Sequence, residues 1–232
     1  MERQREMESG LQMAALAHDL RTPMCIAAGA AQMALDAGGK DVSAQLRQIL
    51  QAGGTMDRML SMMSGAPEEN RAFTGEMLRG ELLALTQGRA QQKGMQLSVD
   101  LSALDSFMLE ADYAALCRLL TNLLGNAIKY TQPGGMVTLR AQMDRGYRCE
   151  GVRRVRLIVA DNGMGMKREF MRRMFLPFAR AQETEGIQGS GLGLSIARDM
   201  TRRLGGTIRA RSEWGKGTTF VVHVPVYVRM GN

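Results

Sequence analysis

VRLIVADNGMGM, Val155 to Met166, decides the fold of this chain. The run VRLIVA reads as a buried strand, and it stops abruptly at Asp161, with Gly163 and Gly165 just after. A carboxylate at a strand end can accept from the amino group of a purine, and glycines let backbone pass close to a ligand. Upstream, the segment Ala111 to Thr131 reads as a helix ending in NLLGNAIKYT. Asn122 and Asn126 are four residues apart and share a face, with Lys129 and Tyr130 just beyond. Downstream come MFLPFAR (Met174 to Arg180), a polar stretch to Gln188, and GSGLGLSIARDM (Gly189 to Met200). Gly189, Gly191 and Gly193 open a helix, whose free amides and positive dipole end suit a triphosphate. GKGTTF, Gly215 to Phe220, then begins a terminal strand.

A different chemistry stands near the amino end. Met13, Ala17, Leu20, Met24, Ala27, Ala31 and Ala34 alternate steps of four and three, the seam of an amphipathic helix. Within it HDLRTPM, His18 to Met24, places His18 about 100° away from the seam and Thr22 on the same face as His18. Asp19 can take the proton of one ring nitrogen and leave the other nucleophilic. Pro23 lacks an amide hydrogen and its ring crowds the carbonyl of Asp19, so a local bend is expected there. Taken alone, His18 reads as an ordinary surface histidine; the downstream segments overturn that reading.

Together these segments resemble the sensor histidine kinases of two-component signalling, with their histidine, asparagine, glycine and phenylalanine boxes in the family's order across nearly the whole chain. The resemblance implies that His18 attacks the γ-phosphate of ATP, that Asp19 orients it, and that Thr22 supports dephosphorylation of a regulator. It implies that Asn126 holds Mg2+ against the phosphates, with Asn122 on the same face. Lys129 would touch phosphate oxygens and Tyr130 would pack near adenine. Asp161 would read the adenine amino group, with Thr218 nearby through water. Gly163 and Gly165 would hinge a lid, while Gly189, Gly191 and Gly193 would meet phosphates through backbone, beside Leu194 and Arg180. The phosphoryl group would then pass to an aspartate of a response regulator. Two residues depart from the pattern: Leu176 stands where an acidic residue is usual, and Asp19 where glutamate is commoner.

The expected fold class is α+β: a helical hairpin that forms a dimeric four-helix bundle, then an α/β sandwich with a mixed sheet and helices on one face. AGGK, residues 37–40, punctuates the hairpin, whose second helix has its seam at Val42, Leu46, Ile49, Gly53, Met56, Leu60 and Met63. A lone helix pair leaves its apolar stripes half covered, so a homodimer is expected. The polar stretch SGAPEEN, residues 64–70, separates the halves, giving a phospho-acceptor domain over 1–65, a linker over 66–71 and an ATP-binding domain over 72–232. In the second half the reading places a helix from Glu76, strands near Met95 to Leu101, Ser106 to Leu109, Val137 and Val155, then TIRARSE and TTFVVHVPV.

Composition sets outer bounds. The 232 residues suffice for two small domains, and 45% hydrophobic content supports packed cores. No run of about 18 apolar residues exists, so no membrane contact by this chain is expected. No signal peptide is visible, and no sensor domain is expected within this chain. The expected location is the bacterial cytoplasm, either as a free kinase or as the cytoplasmic part of a membrane-bound sensor. Cys25, Cys117 and Cys149 lack CxxC spacing, which fits reduced thiols. The net charge of +7 invites a nucleic-acid reading, but aromatics are only 5% and no recognition module is present, so none is expected. Two rival classes are a clamp or repair ATPase that hydrolyses ATP with water, and a degenerate kinase that only docks a regulator. The first usually carries a catalytic glutamate in the asparagine box, where this chain has Thr121 and Asn122. Intact glycine boxes and Asp161 argue against the second.

Overall fold

The computed structural model describes residues 23–37, the separate positions 42, 45, 48, 49, 52 and 56, and residues 70–149, 151–176, 179–184 and 191–230. The chain divides into two compact units, Met1–Ala66 and Pro67–Asn232. In the first, residues 23–36 are helical and form the described part of helix α1. Its burial follows a stripe of small side chains: Ala30 is buried, and Ala27, Ala31 and Ala34 are half-buried. Met24, expected on the seam, is 57% exposed at the amino end of that stripe. Positions 45, 48, 49, 52 and 56 are helical as well. The turn from His18 to Thr22 lies outside the described residues.

The second unit is built on seven described strands. In chain order come β1 (Arg71–Phe73), helix α2 (Gly75–Gln92), β2 (Gln96–Asp100), a 3-10 turn, β3 (Phe107–Ala111) and helix α3 (Tyr113–Tyr130). There follow β4 (Met136–Cys149), β5 (Val152–Asp161), the single turn α4 (Arg168–Met171), a second 3-10 turn, helix α5 (Gly193–Arg203), β6 (Thr207–Glu213) and β7 (Gly217–Met230). The sheet order is β1-β3-β7-β5-β4-β2, with β6 also on β7. The sheet is mixed because β2 and β4 pair in parallel while the other pairs are antiparallel. The sequence reading passed over β1, whose three residues show no alternation to detect, and over α4.

Helices cover one face of this sheet. Along β5, Val155, Leu157 and Val159 are buried while Arg156 is exposed, so the run expected to be a buried strand is buried on one side only. Val222, Val224 and Val226 of β7 continue the buried face. Leu119, Leu120, Leu123 and Leu124 of α3 press onto it, each nearly fully excluded from water and each contributing roughly 1.5–3 kcal/mol of transfer free energy. That burial fixes the rotation of α3 and leaves the stripe of Asn122, Asn126 and Lys129 half-exposed.

Asp112 anchors α3 at its start. Its Oδ1 accepts the amide of Ala115 at 2.9 Å as an N-cap, and its Oδ2 accepts Nε of Arg203, the last residue of α5, at 2.6 Å. One carboxylate thus sets the spacing of the two helices that carry the asparagine and glycine segments. Asp112→Ala removes cap and ion pair together, and we expect a loss of about 2 kcal/mol in urea unfolding; an unchanged midpoint would show that neither contact stabilises the fold.

Candidate active site

The carboxyl ends of β5 and α3 and the amino end of α5 converge in the second unit. Asp161 is the last residue of β5, opposite Thr218 at the start of β7. Its Oδ1 accepts the backbone amides of Gly163 at 2.9 Å and Thr218 at 3.2 Å, which leaves Oδ2 as the oxygen for a ligand. Burial pushes this carboxyl above the usual carboxylate range, against the opposing pull of the two amides.

The loop that follows is held on both sides. Met164 donates its amide to the carbonyl of Tyr130 at 3.1 Å and accepts from the amide of Gly215 at 2.8 Å. Gly163 lies so close to α3 that a Cβ there would stand 2.6 Å from the Tyr130 carbonyl oxygen. Gly165 has φ +68° and packs on the backbone of Glu213, so a side chain would meet both a strained backbone and a wall. Ser212 ties the loop to the neighbouring strand: its hydroxyl oxygen accepts the amide of Met166 at 2.8 Å and lies 2.9 Å from Oγ1 of Thr218. Beside Gly163, the buried Oγ1 of Thr131 has no hydrogen-bond partner among the described residues. Sequence reading missed Ser212 and Thr131, since neither falls on a glycine or a charged motif position.

Gly193 begins α5 and faces the amides of α3. A Cβ on it would lie 3.1 Å from Nδ2 and 3.3 Å from Oδ1 of Asn126, and 3.4 Å from Oδ1 of Asn122. Asn122 is itself steadied by donating to the carbonyl of Arg118 at 2.8 Å. Leu192, the residue before α5, gives no side-chain cap, so the first-turn amides of Gly193, Leu194 and Ser195 have no side-chain acceptor from it. A helix start without a side-chain cap from Leu192, beside two carboxamides, suits a polyanion. At the other end of the asparagine stripe, Nζ of Lys129 lies 4.6 Å from the ring centroid of Tyr130.

The remaining expected residues are placed as follows. Gly191 has φ +74° just ahead of α5, and Leu194 is half-buried against the core. Arg180 is exposed, with its carbonyl accepting from Arg173 at 3.3 Å. Leu176 is 53% exposed. His18, Asp19, Thr22 and Gly189 lie outside the described residues, as do Pro177 and Phe178. The only other histidine, His223, faces the open side of the sheet between buried valines, and burial with neighbouring arginines lowers its pKa. Among the described residues no group of three or more His, Cys, Asp or Glu side chains could hold a metal. The carboxamide of Asn126, half-exposed beside the start of α5, offers an oxygen donor of the kind that Mg2+ accepts.

Residues 111–228 match the family model described as the histidine kinase-, DNA gyrase B- and HSP90-like ATPase. The chain belongs to this family and carries its ATP-binding domain. Proteins similar to it in sequence include sensor histidine kinases. It is 32% identical over 222 residues to the sensor histidine kinase AruS of Pseudomonas aeruginosa, covering 90% of this chain and 22% of that protein. It is 26% identical over 232 residues to the aerobic respiration control sensor protein ArcB of Escherichia coli, covering 90% and 28%. The chain thus spans about a quarter of the length of these relatives. Among solved structures it resembles full-length ShkA in complex with AMPPNP, with a TM-score of 0.68 and 26% identity over 95% of this chain and 46% of that one. It also resembles the catalytic domain of histidine kinase ThkA, with a TM-score of 0.55 and 25% identity over 68% and 96%. Among the described residues, no helix is long and apolar enough to cross a membrane.

Proposed function

We propose that this chain is the kinase core of a two-component sensor, in which ATP phosphorylates His18 and the phosphoryl group passes to an aspartate of a response regulator. The observation that carries the nucleotide half is the seating of Gly193 against Asn122 and Asn126, with the uncapped start of α5 beside them. Domain bounds of 1–65 for the phospho-acceptor hairpin, 66–71 for a linker and 72–232 for the ATP-binding part go with this reading, as does a homodimer built on a four-helix bundle.

In this account a ring nitrogen of His18 attacks the γ-phosphorus, forming a P–N bond while the bond to the β,γ-bridging oxygen breaks and ADP leaves. Asp19 accepts the proton on the other ring nitrogen, which keeps the attacking lone pair free. Bound Mg2+ supplies charge neutralisation for the phosphates, held on the protein side by Asn126. Lys129, Arg180, Asn122 and the amides at Gly189, Gly191, Gly193 and Leu194 share that neutralisation. Asp161 accepts from the adenine amino group, with Thr218 beside it and Tyr130 against the ring; Gly163 and Gly165 serve as hinges. Positioning carries most of the work, because phosphoryl transfer asks little covalent chemistry of the protein beyond its nucleophile.

Acidification gives one check on Asp161. Its folded pKa is raised, so folding favours the protonated form, and the group's contribution to stability declines as pH rises from the unfolded pKa through the folded one. The ionised carboxylate is the stronger acceptor for the adenine amino group. Affinity for ATP is therefore expected to fall as pH drops through the raised pKa, above the ordinary aspartate value of about 3.9. An Asp161→Asn variant should show weaker binding and a flat response over the same range in calorimetric titrations. A wild-type response as flat as the variant's would remove Asp161 from adenine recognition.

The reading is tested in both directions of transfer. Chain labelled from γ-labelled ATP should pass its label to a receiver domain of the cognate regulator, and retention of all label would contradict the phosphorelay. On the helical spacing of the sequence, Thr22 would share the His18 face and could position water for attack on phosphoaspartate. Thr22→Ala is expected to keep most autophosphorylation and lose most phospho-regulator dephosphorylation, measured as decay in ADP and Mg2+. Equal decay rates with wild type would leave Thr22 as a residue that merely tolerates the turn before Pro23.

A further inference from the structure

An α-helix leaves its last four carbonyls without helical partners, and the carboxyl end of α3 shows where each of them goes. The carbonyl of Ala127 accepts the amide of Thr131 at 3.1 Å, and that of Tyr130 accepts the amide of Met164. The two between them, Ile128 and Lys129, both accept from one side chain: Nζ of Lys93 lies 2.9 Å from the first and 2.7 Å from the second. Lys93 is the residue that ends α2. Its neighbour Gly94 accepts the amide of Gly134, in the turn that follows α3, at 2.9 Å. The stem of Lys93 is therefore tied to the segment that its ammonium caps.

This ammonium does two things at once. It offsets the negative dipole end of α3, where a triphosphate would otherwise meet partial negative charge. It also fixes the backbone of Lys129 and Tyr130, and the Tyr130 carbonyl in turn seats the loop carrying Asp161, Gly163 and Met164. Burial of the ammonium lowers its pKa, so part of its hydration has been exchanged for these two carbonyls. From this geometry we infer that Lys93 is a positioning residue of the nucleotide site, holding the carboxyl end of the asparagine helix in register with the Asp161 loop. The inference rests on the proposed roles of Lys129, Tyr130 and Asp161 in binding ATP.

The test is calorimetric titration of the full chain with ATP and Mg2+, run on wild type, Lys93→Met, Lys93→Gln and Lys93→Arg. Lys93→Met, which keeps the stem and loses the donors, is expected to raise the dissociation constant about tenfold, the scale of a lost charged hydrogen bond. The number of binding sites per chain should stay at the wild-type value, and phosphorylation at saturating ATP should keep its rate while KM rises. Lys93→Gln, with one donor and no charge, should fall between, and Lys93→Arg should recover most of the affinity. A purely structural lysine would instead lower the binding-competent fraction at unchanged affinity, and that outcome overturns the inference. If Lys93→Met does not fold, Lys93→Gln carries the same test, and wild-type affinity in that variant is equally fatal. Wild type that binds no ATP at all would overturn the site reading itself, and with it this inference; ATP binding unchanged by every Lys93 variant would overturn the inference alone.

Discussion

His18→Gln is expected to remove the protein-bound label that wild type should acquire from γ-labelled ATP, and to leave ATP affinity and self-association at their wild-type values. The expectation follows from a glutamine that keeps a polar side chain of similar reach but has no nucleophilic nitrogen lone pair, since its amide nitrogen is conjugated with the carbonyl. Both domains stay intact in this reading, so the loss is of chemistry and not of assembly. The effect should be total within detection. Acid-labile label persisting on the variant would mean that another group accepts the phosphoryl, and the assignment would be wrong.

Asp161→Ala should give the second large effect, collapse of nucleotide affinity. A charge-assisted hydrogen bond to the adenine amino group contributes roughly 1.5–3 kcal/mol, a factor between about ten and a hundred and fifty in affinity. The same truncation removes the acceptor for the amides of Gly163 and Thr218, so the loop after β5 loses its anchor as well. Calorimetry with ATP and Mg2+ reads the change directly, and an affinity equal to wild type would refute the role. Comparison with Asp161→Asn separates the two contributions, since the carboxamide oxygen can still accept an amide while the charge is gone.

The sequence made some of this legible and hid the rest, for physical reasons that differ by element. Strands β5 and β7 and helix α3 announce themselves because burial against one another imposes a period on many residues at once. Strand β1 carries three residues and no period, and shows itself only when paired with β3. The run VRLIVA, dominated by apolar residues, does not itself show which side is open, and the one-sided helix layer explains the exposure of Arg156. Within the site, Asn122, Asn126 and Gly193 stand out as motif residues, but their approach to one another depends on α5 crossing beside α3, which no local pattern encodes. Lys93 was invisible for a related reason. QQKGMQ reads as an ordinary helix end, and the carbonyls that Lys93 caps belong to a helix 35 residues downstream. Ser212 likewise acts across strands, on Met166 and Thr218.

The measurement that bears most directly on the central claim is the acid and base stability of the label on wild-type chain after incubation with γ-labelled ATP and Mg2+. A phosphohistidine has a P–N bond that hydrolyses in acid and survives base, so the account predicts label that is lost in acid and kept in alkali. Release of free phosphate with no label on the protein would instead identify an enzyme that transfers to water, and would contradict the histidine kinase reading.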